Sequence, residues 1–415
     1  MRLIRPFVAA SLLALSAISA AAQAPDPRLQ RAWQLAFESD ARRAAGDLAE
    51  AERLAREAEA ICPQLAHLEP LCLVPARQRL GNVAFARGQF GAAERLYRET
   101  LTLAEAAYPP PSPWHVQLRQ QVADALSRQG RVGEMEPVLR PALAAARALE
   151  ARHPGTLPAL LNQLAVSLFA QRRWAESEAA ADEAVRVLER SDRRSDPTYR
   201  VARLNLADAV QRQGRLPEAD ALVAAVLADG EGRLGPEHPD LAAALTRLAG
   251  LRSQQGRADE AIALAERAVR LLRRPSPAPL DLAEALDVLG SALYEARRDA
   301  EASSAFEESI AVREAAGDGT SSAMAITLAN VANLYIRQGR SEQAEPLLRR
   351  ALDIRGAEPV RDGEAIGRLL ASLGFAFRNQ NKLDEAVAVS ARLDHAVAAL
   401  PDTHILRIRA AHLRG

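Results

Sequence analysis

Side chains that favour strands are scarce in this sequence of 415 residues. Aromatic residues make up 4% of it, and Val, Ile and Thr are too sparse to build many strands, whereas alanine and leucine dominate. The composition therefore favours helix throughout, with no β-domain visible. Net charge is missing as well. The 53 basic and 53 acidic residues cancel and are interspersed along the whole length, which argues against a nucleic-acid-binding or anionic-membrane surface. Lysine occurs once, at Lys382; every other basic side chain is arginine.

Long apolar runs are absent beyond the first residues. Arg2 and Arg5, the apolar stretch Phe7 to Ala20 and the small residues Ala20-Ala21-Ala22 read as an export signal cleaved after Ala22. Cleavage after Ala24 is disfavoured because Pro25, with a locked φ and no N–H, would flank the bond. The alternative, an apolar first helix of the array, places this stretch outside the repeat phase set out below. The stretch also falls short of the roughly 20 residues that a membrane-spanning helix needs. No cysteine follows the cleavage region, which argues against a lipid anchor. The expectation is an exported bacterial protein, periplasmic or secreted, with no membrane span in the mature chain.

Signatures of catalysis are lacking too. Gly-Lys-Ser/Thr, Gly-x-Ser-x-Gly, His-Glu-x-x-His and Cys-x-x-Cys do not occur. Gly230-Glu231-Gly232-Arg233-Leu234-Gly235 satisfies the dinucleotide fingerprint as a string. It follows a helical pattern and precedes Pro236 in a connector, however, where a phosphate loop would leave a strand and open a helix. The seven histidines include no pair at metal-binding helical spacing with an acidic neighbour. His153-Pro154 and His238-Pro239 occupy matching connector positions, where Pro suits a helix start. The expectation is a chain that is not an enzyme and holds no cofactor or metal.

What is present is a period. Gln213-Gly214-Arg215 with Glu218-Ala219 recurs 42 residues later as Gln255-Gly256-Arg257 with Glu260-Ala261. The same phase places turns at Gly46, Gly88, Gly130, Arg172, Gly214, Gly256, Arg297, Gly339 and Asn381. Seven residues before them stand Ser39, Gly81, Ala123, Ala165, Ala207, Ala249, Gly290, Ala332 and Gly374, all small. Five after come Ala51, Ala93, Met135, Ser177, Ala219, Ala261, Ala302, Ala344 and Ala386, small in all but one. Eight before, repeats two to nine carry Leu or Val. Each unit reads as helix A, a tight turn that favours Gly, and helix B, with small residues permitting close approach. One unit cannot bury its own apolar face, so stability comes from stacking.

These rows resemble the tetratricopeptide repeat. The 42-residue period with its longer connector, seen in Leu234-Gly235-Pro236-Glu237-His238-Pro239-Asp240 and in Ala344-Glu345-Pro346-Leu347-Leu348-Arg349-Arg350-Ala351-Leu352, is similar to the kinesin-light-chain-like branch. The resemblance implies an all-α fold, a right-handed solenoid of about nine helix-turn-helix repeats over residues 23–402, closed by a helix at 403–415. Glu38 in the Leu row of repeat one and Asp394 in helix B of repeat nine depart from the pattern and suit end caps. The resemblance also implies a non-catalytic scaffold for a protein or an extended peptide. A ligand-sensing module for a peptide or glycan is the alternative, and an enzyme is a third class without positive support.

Cys62 and Cys72, the only cysteines, flank the connector between repeats one and two, which contains Pro63, Pro70 and Pro75. An even pair in an exported chain favours a disulfide over two buried thiols. In tetratricopeptide arrays the helix A residues lining the concave groove hold the partner, and here those fall ten, six, three and two before each turn. They include Gln78, Asn82, Phe85, Gln120, Asp124, Arg128, Asn162, Phe169, Asp208, Gln211, Arg212, Tyr294, Asn333, Ile336, Arg337, Phe375 and Arg378. Amides suit a peptide backbone and aromatics supply anchors, although a merely solvated groove is an equal reading for any one of them. Family members that clamp a terminal carboxylate carry a basic residue ten before the turn. That row here is Ala36, Gln78, Gln120, Asn162, Leu204, Thr246, Asp287, Ala329 and Ala371, so no such clamp is implied.

Overall fold

A computed structural model describes residues 26–153, 155–273, 279–357, 362–398, 401 and 404–414; the expected export signal at 1–22 and Pro154 lie outside the described residues. The fold is an all-α helical repeat, with no strand among the described residues. Nine helix pairs follow in order: α1 (Pro27–Ala44) and α2 (Leu48–Ile61), α3 (Glu69–Ala86) and α4 (Phe90–Ala107), α5 (Pro113–Arg128) and α6 (Glu136–Leu149), α7 (Thr156–Ala170) and α8 (Trp174–Arg190), α9 (Pro197–Arg212) and α10 (Leu216–Leu234), α11 (Ala242–Gln254) and α12 (Ala258–Leu272), α13 (Pro279–Glu295) and α14 (Asp299–Ala315), α15 (Ser322–Arg337) and α16 (Ser341–Gly356), α17 (Gly363–Asn379) and α18 (Leu383–Ala396). A last helix, α19 (Ile405–Arg414), follows them. The chain divides into two compact units within α9, after Ala209, where the sequence offers one continuous array; each unit is described by itself. No helix among the described residues is long and apolar enough to cross a membrane.

Local chemistry starts and stops these helices. Side-chain oxygens of Asp26, Asp47, Ser112, Ser321 and Asp362 accept backbone N–H groups in the first turns of α1, α2, α5, α15 and α17, which satisfies donors that have no partner within the helix. All nine within-pair turns place a residue at positive φ, from +59° at Asn381 to +84° at Gly46. Six of these residues are Gly; Arg172, Arg297 and Asn381 adopt the same left-handed backbone without that freedom. The first connector is shorter than the sequence suggests, because α3 begins at Glu69 and takes in Pro70 and Pro75, while a 3-10 segment covers Cys62–Leu68. Pro70 sits in the first turn, where its missing N–H costs nothing. The Cys62 and Cys72 sulfurs stand 2.06 Å apart, with Cα atoms 5.4 Å apart, and both residues are buried.

Paired helices meet at their small residues. The rows seven before and five after the turn are buried in every pair. Two serines show that these rows face each other directly: Ser39 donates to the Ala51 carbonyl at 2.7 Å, and Ser177 to the Ala165 carbonyl at 2.8 Å. A hydroxyl reaches the facing backbone only where two helices lie unusually close. At two of the three Gly positions of the first row, Gly81 and Gly290, helix B supplies a ring, and at Gly374 the closing helix supplies Leu413. A Cβ on Gly81 would lie 2.5 Å from Tyr97, and one on Gly290 2.6 Å from Phe306, so volume missing from one helix is filled from the other. At the far end, Leu406, Ala410 and Leu413 of α19 are buried, and Ser390 donates to the Ala410 carbonyl at 2.8 Å. The closing helix thus covers α17 and α18 as another helix A would.

One substitution is expected to change sign with position. Gly290→Ala drives a methyl into the Phe306 ring and should cost about 1–3 kcal/mol. Gly250→Ala, in the interior of α11 with no atom within 4 Å, should stabilise by roughly 0.5–1 kcal/mol through helix propensity. Urea midpoints of the two variants check this, and Phe306→Leu should rescue Gly290→Ala.

Candidate partner-binding face

Helix A of each pair shows solvent a stripe at thirteen, nine, six and two residues before its turn, except in α3, where the first of these is the buried Pro75. In α15 these are Ile326, Asn330, Asn333 and Arg337, and in α11 Ala243, Arg247, Gly250 and Gln254, all exposed or half-buried. At about 100° per residue, the four positions lie within about 60° of one another around the helix. The row ten before the turn lies about 40° outside that stripe, on the side of the packed small residues. Gln78 and Asn162 are accordingly buried, at 1% and 6% exposure, while Gln120 is half-buried. Gln78 and Asn162 therefore pack between helices and do not line an open face, which corrects their sequence assignment.

The remaining candidates spend much of their bonding on neighbouring repeats. Position six of one repeat pairs with position nine of the next. Asp40 meets Arg79 at 2.9 Å, the Asn82 carbonyl oxygen accepts from Gln121 at 3.0 Å, Asp124 accepts from Gln163 at 2.5 Å, and Asn333 accepts from Ser372 at 2.8 Å. Gln78 also donates to Gln121, at 3.0 Å. Opposite Val166, which has no polar atom to offer, the Asn205 amide nitrogen is buried and unpaired.

Aromatics at position three brace the turn. Phe85 packs edge-on against Phe90 at 5.2 Å, and Phe169 against Trp174 at 4.8 Å. Arg128 lies 5.1 Å over Phe90 of the preceding repeat. Arg337 stacks 3.5 Å over Tyr294, donates to its carbonyl at 2.9 Å and pairs with Asp299. Arg378 donates to the His412 carbonyl of α19 at 2.7 Å, and Gln211 to Gln254 at 3.0 Å. Ile336 and Phe375 are half-buried against the core, Asp208 is half-buried, and Arg212 is exposed. The sequence reading missed rows nine and thirteen. Amides at Gln121, Gln163, Asn205 and Asn330 signal row nine, whereas row thirteen is chemically varied and is found only from helical phase.

The recurring Gln-Gly-Arg…Glu phrase builds a clamp beside the turn. Arg131 holds Glu134 through Nε and Nη2 at 2.8 and 2.6 Å and reaches Glu94 of the preceding repeat through Nη1 at 2.7 Å. Arg173 repeats the arrangement with Glu176 and Glu136, and Gln129 and Gln171 donate to the same bridging carboxylates. Lys382 takes the equivalent place and, as a point charge without the guanidinium fork, meets Glu345 at 2.8 Å. The bonded arginines hold Glu134 and Glu176 below the usual carboxylate range.

The family whose models match this chain is described as the tetratricopeptide repeat. One model covers residues 198–274 and 323–392, and a second covers 76–113, 159–191 and 282–316; together they span more than half of the chain. No curated protein matches. Among solved structures, the chain is similar in fold to the apo form of RapI (11% identity, 72% of this chain and 81% of that one, TM-score 0.52). A tetratricopeptide repeat protein from Parabacteroides merdae is 16% identical over 72% of this chain and 99% of its own, with TM-score 0.46. A putative kinesin light chain with nearly identical repeats from Podosopora anserina is 23% identical over 48% of this chain and 96% of its own, with TM-score 0.42.

Asp124 is a half-buried carboxylate whose ladder partner is an uncharged amide. Burial pushes its pKa up to about 6, against the opposing hydrogen bond from Gln163. The folded chain therefore holds this proton more tightly than the unfolded one. The stabilisation is full below about pH 4 and is lost as the pH rises through 6. Asp124→Asn should flatten that loss, on the order of 1–2 kcal/mol after solvent screening. The check is the difference in urea midpoint between wild type and variant from pH 4 to 7; parallel curves would contradict it.

Proposed function

Because the chain belongs to the tetratricopeptide repeat family, we propose that it is a non-catalytic scaffold that binds an extended protein segment or peptide along the exposed stripe of its A helices. The observation that carries this reading is the polar ladder that runs between successive A helices along that stripe. Asn82 accepts from Gln121 of the next repeat and from Tyr97 of its own, and Asn333 accepts from Ser372 of the next repeat, each through its carbonyl oxygen. Both residues are half-buried, and an amide side chain also carries two N–H donors of the kind that suit a peptide carbonyl. A single helix cannot extend a polar stripe over such a length, whereas a stack of repeats carries it from one A helix to the next.

We further read the protein as exported to the bacterial envelope or beyond. The charge and apolar pattern of residues 1–22 supports this, as does a cysteine pair within bonding distance. Chain recovered from an exported fraction should begin at Gln23 and resist alkylation until it is reduced. Used as bait, it should capture a protein or peptide. Val166→Arg combined with Gln254→Arg on the stripe should abolish capture, while Val387→Arg, on an exposed helix B surface, should not. Capture unaffected by the stripe variants, or no partner at all, would contradict the reading.

A further inference from the structure

We propose that the junction of α7 and α9 seats an aliphatic side chain of the bound segment and holds the adjoining main chain through Asn205; this rests on the reading that a protein segment follows the A helices. The residues of the junction all lie in the first compact unit. There the polar ladder runs from Asp40 with Arg79, through Asn82 with Gln121, to Asp124 with Gln163. At the next rung it stops, because position six of α7 is Val166 while position nine of α9 is Asn205. One helical turn earlier, the same register sets Asn162 of α7 beside Val201 of α9. The Asn162 amide nitrogen donates to the Thr198 carbonyl at 3.3 Å, which joins the two helices at that level. Two successive rungs thus each oppose a valine to an asparagine, in crossed order.

The crossed rungs leave one polar atom of each asparagine buried and unpaired: Nδ2 of Asn205, a donor, and Oδ1 of Asn162, an acceptor. Asn162 as a whole is 6% exposed. Orphaned groups of this kind cost free energy in the chain by itself. The valines, by contrast, are open. Val166 and Val201 are 40% and 44% exposed, and both stand on the stripe. A junction selected for stability alone would set Val166 against an apolar residue and Asn205 against a polar one.

The occupant follows from these groups. A peptide unit carries a carbonyl for a donor and an N–H for an acceptor, so it complements orphans of both kinds. Asn205 is half-buried, and the broad torsion at the end of its side chain lets the amide nitrogen turn outward to a main-chain carbonyl. An aliphatic side chain next to that carbonyl then lies across Val166 and Val201 and takes both from water. A charged side chain in the same place would lose hydration and meet no ionic partner among these four residues.

The test uses the full chain with methyl-labelled valine, titrated with capped alanine-serine heptapeptides carrying one central Val, Leu, Ser or Asp. The Val and Leu peptides should shift the methyl signals of Val166 and Val201 and bind about ten-fold more tightly than the Ser peptide. Val166→Thr with Val201→Thr, similar in shape and at exposed positions, should erase that preference and leave the melting temperature unchanged. Asn205→Ala should weaken the Val and Ser peptides alike, by about five-fold. The same variant should not lower the melting temperature of the free chain, because it removes a donor that has no partner; a purely structural Asn205 would show the reverse. Ser or Asp peptides that bind as tightly as Val would overturn the assignment, as would Asn205→Ala with unaltered affinity. Shifts confined to other A-helix methyls would also overturn it while sparing the wider reading. No shift anywhere at millimolar peptide would count against both.

Discussion

Everything in this fold depends on how closely helix A and helix B of one pair approach. The contact is made by small residues on both sides of a tight turn, close enough for Ser39 and Ser177 to bond to the opposite backbone. That spacing leaves each pair with an apolar face it cannot cover alone, and the next pair covers it. Volume is conserved across the contact, as Gly81 with Tyr97 and Gly290 with Phe306 show. Close packing at the seam therefore fixes the rotation of helix A, and with it the side chains that are turned toward solvent.

The polar surface follows from the same phase. Because repeats recur at nearly constant spacing, position six of one helix A meets position nine of the next again and again, as Asp40 with Arg79 and Asn333 with Ser372 show. A clamp such as Arg131 with Glu134 and Glu94 likewise finds equivalents further along. Single exposed pairs of this kind contribute only roughly 0.2–1 kcal/mol each. Repetition, and the shared carboxylates, make them a register device between repeats. They also account for the balanced charge: many of the charges are answered locally, so no strong field is projected outward.

Much of this was legible from the residues. The period, all nine turn positions and the small rows could be read directly, because each is imposed by backbone conformation or by close packing, which restrict residue type. The open face was read with a phase error. Gln78 and Asn162 look like groove residues because they are amides, yet a rotation of about 40° puts them among packed helices. Ile326 and Ala243 were missed because exposure at position thirteen selects no particular chemistry. The inclusion of Pro75 in α3 and the division of the chain within α9 also left no mark in the period.

The central claim is that one helical phase decides both what packs and what stays available to a partner. Thiol labelling along α11 tests it most directly, using the single variants Ala243→Cys, Thr246→Cys, Ala249→Cys and Gln254→Cys under non-reducing conditions. Cysteines at 243 and 254, on the exposed stripe, should react at rates near those of the unfolded chain. Those at 246 and 249, where the native residues are 4% and 0% exposed, should react only on opening of the fold, at least about a hundred-fold more slowly. A cysteine at 246 that labels as fast as one at 243 would contradict the account.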